Sequence, residues 1–341
     1  MKPLWDDLNA RARGLGTHLL SRLQLEGLAR ELDLPALGDG LRRFGIATGE
    51  SGVTVIPEDL ELAIRRWAAA RLRTLARWAG PRASALPTVF EDEDRRSLRA
   101  ILRGAVHGSP AERRLAGLVP TPALPERALM ELARAPTASA VATLLAAWRH
   151  PYAAALAPAI GTTHPDLFAL ELSLARMFAD RTLRAARRAG DRGLLRFARE
   201  TIDLENALSA VVLTVEGKDV VPKDVFLPGG ERVSIVAFEE AIALGEPGSA
   251  GARLAVALGD SPIATALHQA ARDPAALEDD LLRARLHVLA RRVRQAPLGA
   301  LPVLWFGLRL RAQVVDLRRI VWAVTLGAPR GAMVDSLVTA A

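Results

Sequence analysis

The side chains that could carry acid–base or metal chemistry are scattered along the chain. Its six histidines lie at no metal-binding spacing, such as that of HExxH, from one another or from an acidic residue. They are His18, His107, His150, His164, His268 and His287. The glycines form neither the P-loop pattern nor GxGxxG, no GxSxG occurs, and the chain has no cysteine. The sequence therefore predicts no catalytic residue, metal ligand, cofactor or small-molecule substrate.

The acidic run EDED, residues 91–94, is the cluster that most resembles a metal site. It lies just before the segment SLR, which begins at Ser97. Acidic side chains are favoured near the positive end of a helix dipole. We therefore expect an acidic helix N-terminus here rather than a bound metal.

The net charge of +7 comes almost entirely from arginine, and three stretches, residues 65–77, 181–199 and 283–294, each carry at least five arginines. Such a charge fits an acidic partner, an anionic membrane surface or nucleic acid, and does not choose among them. One interpretation is solvated side chains near helix C-termini, where the helix dipole favours cations. The other is three basic surfaces that face one acidic partner. On that interpretation the candidate partner-binding residues are Arg65, Arg66, Arg181, Arg184, Arg187, Arg188, Arg291 and Arg292.

Three proline-initiated segments set the register of the elements that carry these arginines. They begin at Pro57, Pro165 and Pro274, which are 108 and 109 residues apart. Proline suits the first turn of a helix and acidic residues follow each proline, so each segment predicts a helix start. Asp273 and Thr163 are candidate N-caps for the last two of these helices. Two further sets of landmarks keep nearly the same spacing, namely Ser97, Asn206 and Asp316, and Gly108, Gly217 and Gly327.

This period is longer than the roughly 20–50 residues of a solenoid repeat and indicates a triplicated helical domain. The predicted units are residues 57–162, residues 163–273 and a shorter third unit, residues 274–341. The N-terminal segment is residues 1–56, of which residues 5–56 resemble the second half of a unit without its first helix. They either complete the third unit and close a pseudo-threefold ring, or form an unrelated N-terminal cap.

Composition favours helix throughout. Half of the residues are apolar and only 4% are aromatic, so alanine and leucine must build the cores. Two short β-like runs, residues 53–57 and 231–238, are ambiguous. We predict an all-α protein with three similar helical domains arranged as a pseudo-threefold funnel or socket.

No segment is predicted to span a membrane. The longest stretches without a charged residue lie near 150–165 and 296–308, contain prolines and fall short of about 18–20 apolar residues. The first residues, MKPLWDDLNARARG, contain no apolar signal core. Any membrane contact is therefore expected to be peripheral.

Residues 8–37 resemble the N-terminal signature of the C-type subunit of the V-type (archaeal and vacuolar-type) rotary ATPases, whose eukaryotic counterpart is the d-type subunit. The resemblance begins with Asn9, Ala10, Arg11 and Arg13 and continues through the leucines that follow. The repeated D-x-x-N-L-R-like helix of that family is matched at 94–99, 203–208 and 313–318. The segment VDLRRIVWAVTLGAPRGAMVDSLV, residues 315–338, resembles the ending of the family.

The resemblance implies a non-catalytic central-stalk component of the ATPase. It would act as a socket between the rotor shaft, with its D- and F-type subunits, and the membrane c-ring. It would be peripheral, at the cytoplasmic face of the membrane, and would bind no nucleic acid. The alternative is a helical scaffold that binds nucleic acid through its arginine-rich faces. The scarcity of lysine and of aromatics interleaved with the arginines argues against that alternative.

Overall fold

The computed structural model describes residues 5–48, 55–216, 220–270, 273 and 276–339. Within these residues the chain forms helices and no β-strand, which confirms the predicted all-α fold. The α-helices are α1 (Asp6–Gly16), α2 (Arg22–Ala29), α3 (Leu34–Arg43), α4 (Pro57–Ala79), α5 (Pro87–Val106), α6 (Ala111–Leu115), α7 (Glu126–Arg134), α8 (Ala138–Ala147), α9 (Ala153–Leu156), α10 (Leu167–Ala189), α11 (Arg192–Glu216), α12 (Pro222–Val225), α13 (Ile235–Ala243), α14 (Pro247–Leu258), α15 (Pro262–Ala270), α16 (Leu277–Gln295), α17 (Leu301–Thr325) and α18 (Arg330–Asp335). Of the β-like runs, residues 231–238 lead into α13, and residues 53–57 lie partly outside the described residues.

Helix α4 begins at Pro57, as the sequence predicts. Apolar side chains recur along it at three- and four-residue steps, and Leu60, Ile64 and Trp67 of this stripe are buried. Arg71 interrupts the stripe, and its guanidinium carbon lies 3.9 Å from the ring centroid of Trp67, in a cation–π contact. The three- and four-residue spacing thus identifies the core-facing side of this helix.

Helix α10 begins at Leu167, two residues after the predicted start at Pro165. The Oδ1 atom of Asp166 accepts a hydrogen bond from the backbone N–H of Ala169 at 3.1 Å. Asp166 is therefore the N-cap, and the expectation that Thr163 has this role is wrong. The start of α10 is therefore set by the aspartate that caps the N–H three residues later, and not by the proline before it.

Helix α16 begins at Leu277, with Ala276 in the capping position rather than the predicted Asp273. Pro274, its predicted first residue, lies outside the described residues. The acidic first turn that the sequence predicts is present at residues 278–280.

Two of the three landmark glycines directly end long helices. Gly108 and Gly327 follow α5 and α17, and both have φ of 65°. The next backbone N–H bonds to the carbonyl five residues earlier, at 2.8 Å after Gly108 and 2.9 Å after Gly327. This is the Schellman arrangement, which requires a left-handed residue and so favours glycine. Gly217 lies outside the described residues.

The EDED run does not form a helix N-terminus, so that expectation is wrong. Helix α5 begins four residues earlier, at Pro87, which occupies its first position. The run lies in the second turn, where Asp92 and Asp94 are buried. Among the described residues no group of three His, Cys, Asp or Glu side chains is placed to hold a metal ion.

The described residues divide into two compact units. One contains residues 5–9 and 179–305, and the other contains residues 10–178 and 306–339. A core of the second unit is built from apolar side chains between residues 98 and 178, mostly leucine and alanine with Tyr152 and Phe178. The division into three repeats remains a prediction. In the described part of the chain, no helix is both long enough and apolar enough to cross a membrane.

Candidate partner-binding site

The first pair of candidate arginines lies on α4 and is used within the protein. Arg65 donates to the carbonyl oxygen of Leu115 at 3.0 Å, and Arg65 and Arg66 both reach Glu126 at 3.3 Å. Burial lowers the pKa of Arg65, and the Glu126 carboxylate opposes that change. Arg66 is exposed. Both arginines therefore tie α4 to the segment that contains α6 and α7.

The second set lies along α10 and becomes more exposed toward the helix end. Arg181 is half-buried and has an interaction partner within the protein. Arg184 is exposed and pairs with Asp180 one turn earlier. Arg187 and Arg188 lie in the last turn and are exposed. The helix dipole stabilises cations there.

The third pair lies near the end of α16. Arg292 donates two hydrogen bonds to the Glu200 carboxylate, at 2.5 and 2.6 Å. Arg196 also donates to Glu200, through Nε at 3.3 Å. One carboxylate thus holds two guanidinium groups, while Arg291 is exposed.

A cavity of about 270 Å³ within the first unit is lined by Arg196, Glu200, Arg291 and Arg292. Its walls come from α11, the start of α15, the last turns of α16 and the segment before α13. The cavity brings the candidates Arg291 and Arg292 together with Arg196 and Arg232. Arg232 also donates to the carbonyl oxygen of Leu258, at the end of α14. The result is a concave surface with four guanidinium groups on its lining.

A second feature is a buried polar pair, three residues apart, on each of three long helices. We call each pair a clasp because it holds a loop. In the α11 clasp, Asp203 accepts the backbone N–H groups of residues 231–233 at 2.9–3.2 Å. Asn206 accepts the N–H of Leu227 and donates to its carbonyl, both at 2.8 Å. Burial raises the pKa of Asp203, and the three backbone donors oppose that change.

The α17 clasp is Gln313 and Asp316. Gln313 donates to the carbonyl oxygen of Leu20 at 2.5 Å. Asp316 accepts the N–H groups of Val338 and Thr339 at 2.6 and 2.8 Å. Burial raises the pKa of Asp316, and these donors oppose the change. The α17 clasp therefore binds backbone from both ends of the described chain.

Arg22 adds to this junction by donating to the carbonyls of Val334, Leu337 and Thr339 at 2.6–3.1 Å. These contacts support the interpretation in which residues 1–56 complete the third unit. We propose that interpretation over the unrelated cap.

The α5 clasp is Asp94 and Ser97, both buried. Asp94 is hydrogen-bonded to the hydroxyl of Thr121, whose oxygen also accepts the N–H of Leu124 at 3.0 Å. Burial raises the pKa of Asp94 to about 7; the Thr121 hydrogen bond opposes this change and the carboxylate of Glu91 adds to it. This clasp has fewer donors for its carboxylate than the α11 clasp has.

Asp92, two residues earlier, is in a different environment. It accepts hydrogen bonds from Arg95 at 2.8 Å, Arg96 at 3.1 Å and Arg311 at 3.3 Å. Burial alone would raise the pKa of Asp92, but the guanidinium groups of Arg96, Arg95 and Arg311 outweigh burial and hold it well below its usual range. Asp92 therefore joins α5 to α17 through charged hydrogen bonds.

Comparison with known protein families identifies the family of this chain. The model of the ATP synthase (C/AC39) subunit family matches residues 8–333. The chain belongs to this family. The match confirms the resemblance to the C-type subunit of V-type ATPases and covers both the N-terminal signature and most of the C-terminal segment. No curated protein matches the chain.

Several residues that the structure makes prominent in this C/AC39 family member were not predicted as functional. Asp203 and Asp316 stand in the D-x-x-N-L-R-like segments, but their role as loop anchors has no sequence signature. The EDED run was the available signal for Asp92 and Asp94. The cavity residues Arg196 and Arg232 were not predicted, because the cavity is assembled from helices that are far apart in sequence.

Proposed function

We propose that this C/AC39 family member is a non-catalytic central-stalk component of a V/A-type rotary ATPase. It acts as a socket that couples the rotor shaft, with its D- and F-type subunits, to the membrane c-ring during ATP-linked ion transport. The family match over residues 8–333 carries this proposal.

The clasps support a mechanical role. A coupling element has to transmit torque without bending, and loops are ordinarily the softest parts of a fold. Helices α11 and α17 have 25 residues each. Both hold their loops through buried hydrogen bonds to backbone atoms. Buried polar groups with satisfied hydrogen bonds rigidify their surroundings. Torque applied to one helix would therefore move its loop as one body.

We also propose that the protein is peripheral at the cytoplasmic face of the membrane. Washing membranes with carbonate or with high salt should then release it together with the water-soluble sector of the complex. Retention on the washed membrane would contradict peripheral attachment.

The exposed arginines of α10 are proposed to steer assembly with an acidic surface of the rotor. Charges on an interface rim mainly raise association rates and are screened by salt over about 8 Å. The variant Arg184→Glu/Arg187→Glu/Arg188→Glu should slow association with the isolated shaft and ring roughly tenfold at low salt. It should also flatten the salt dependence of the rate.

The matched control is Arg113→Glu/Arg127→Glu/Arg134→Glu. These arginines are also exposed, and the change in net charge is the same. Equal slowing in both variants would indicate a general charge effect. Unchanged assembly and unchanged coupling of ATP hydrolysis to ion transport in the α10 variant would show that its arginines form only a solvated face.

A further inference from the structure

The cavity between α11 and α16 has an excess of cationic groups. Four guanidinium groups line it, against the carboxylates of Glu200, Asp203 and Asp260. Asp203 directs its oxygens to three backbone N–H groups and so is already engaged by the loop. Asp260 is exposed. The interior of the cavity therefore contains one carboxylate, that of Glu200, with oxygens directed at guanidinium groups.

The two carboxylate oxygens of Glu200 cannot accept hydrogen bonds from all the guanidinium N–H groups around them. Arg292 occupies both of its oxygens at 2.5 and 2.6 Å, and Arg196 adds a longer bond of 3.3 Å through Nε alone. A guanidinium group has five N–H donors, so most donors of Arg196 remain for another acceptor. Arg291 lines the same cavity and is exposed.

The size of the cavity limits the ligand. A volume of about 270 Å³ is smaller than the roughly 300–1,000 Å³ typical of pockets for drug-sized ligands. It admits one or two side chains rather than a nucleotide. Guanidinium groups bind carboxylates in planar, often bidentate pairs.

We propose that this cavity binds a carboxylate side chain on an acidic segment of a protein partner, through Arg196 and Arg291. The identification of the occupant as a protein rests on the proposed function, in which the chain works inside a multi-protein complex. The cavity would then be a docking point that positions one acidic side chain, with the Arg292–Glu200 pair as a preformed wall.

The test uses the isolated full-length chain and a fluorescein-labelled hexaglutamate peptide, with binding followed by fluorescence anisotropy. Hexaglutamate should bind and hexaglutamine should not. The variant Arg196→Gln/Arg291→Gln should weaken hexaglutamate binding by about tenfold, since each partly exposed charge pair contributes up to about fivefold. Arg291→Gln alone leaves the Glu200 pairs intact and should weaken binding by a smaller factor, about threefold.

The matched control is Arg192→Gln/Arg294→Gln. These exposed arginines lie on the same two helices, outside the cavity lining. An equal loss of binding in the control would show a general basic surface and overturn the proposal. Binding of inorganic phosphate with the same variant dependence, without binding of hexaglutamate, would also overturn it and indicate an oxyanion site.

This titration is separate from the assembly experiment. Failure of hexaglutamate to bind overturns the cavity proposal and leaves the proposed socket function intact. Failure of assembly with the shaft and ring leaves the titration result unchanged. Thermal unfolding of each variant confirms that a lost signal reflects the cavity and not the fold.

Discussion

The α11 and α5 clasps stand at the same position of the predicted repeat, and each holds a buried aspartate with a different set of hydrogen-bond donors. Asp203 and Asp94 are 109 residues apart, and each is only 1% exposed. Asp203 receives three backbone N–H groups, and Asn206 adds two bonds to Leu227. Asp94 is met by the hydroxyl of Thr121.

The difference shows that the loop, and not the helix, decides what a buried aspartate does. Desolvation raises the pKa of both carboxyls, and hydrogen bonds to the charged form oppose it. The loop at 231–233 directs three N–H groups toward Asp203, so the Asp203 carboxylate anchors this loop. The loop at Thr121 offers one hydroxyl, which leaves the pKa of Asp94 at about 7.

The largest expected effect comes from removing the better-satisfied carboxylate. Asp203→Ala leaves three loop N–H groups without their acceptor and should lower the free energy of unfolding by about 3–5 kcal/mol. Asp94→Ala should cost no more than about 1 kcal/mol at pH 8, because it also removes a poorly solvated charge. Chemical denaturation measures both. Equal losses would mean that the two carboxylates contribute equally to stability, despite their different numbers of hydrogen-bond donors.

A second test of the α11 clasp comes from its loop side. A Cβ built on Gly230 would lie 2.1 Å from Oδ1 of Asp203. Gly230→Ala should therefore push the loop off the carboxylate and destabilise the protein by about 1–3 kcal/mol. Gly27→Ala is the control, because Gly27 is an exposed position of α2 and a Cβ there meets nothing within 4 Å. The control should be neutral or stabilising by up to about 1 kcal/mol.

These clasps also show how far sequence reasoning reaches. The ends of two helices that carry them were visible in the sequence, since Gly108 follows α5 and Gly327 follows α17 at the spacing of the predicted repeat. The polar landmarks of the predicted repeat were visible in the sequence because each stands at a nearly fixed distance from its glycine. Their partners were not visible, since Leu227 and Val338 contribute backbone atoms, which every residue type possesses.

The cavity was invisible for a related reason. Arg196 and Arg291 lie almost a hundred residues apart, and only the packing of α11 near α16 places them on one surface. The expectation that EDED forms a helix N-terminus fails for a local reason. Pro87 starts α5 one turn earlier than the acidic run suggested, and this shift places Asp94 in the interior instead of at a solvated end.

A third test removes the hydroxyl that Asp94 contacts in the α5 clasp. Thr121→Val preserves the shape of the side chain but removes the oxygen that contacts Asp94 and accepts the N–H of Leu124. The expected loss in unfolding free energy at pH 8 is about 1–3 kcal/mol. The loss should be smaller at pH 5, where Asp94 is protonated. A pH-independent loss would locate the whole effect at the Leu124 N–H.

The most specific expected effect, and the smallest at pH 4–5, is that of Asp94→Asn. The pKa of Asp94 is raised from 3.8 to about 7 in the folded protein, by burial first and then by Glu91 and Glu93, while the Thr121 hydrogen bond opposes the change. Between these values the folded state keeps a proton that the unfolded state releases, so this group makes stability fall as pH rises. Its contribution is complete below about pH 4 and is lost as pH rises through about 7.

An asparagine at position 94 keeps the size of the aspartate side chain and does not titrate. Asp94→Asn should therefore lie within about 1 kcal/mol of wild type at pH 4–5 and exceed wild type in stability at pH 8. Denaturation curves measured from pH 4 to pH 8 decide it. If wild type and variant change in parallel across that range, Asp94 is ionised in the folded protein, and the α5 clasp is an anchor of the same kind as the α11 clasp.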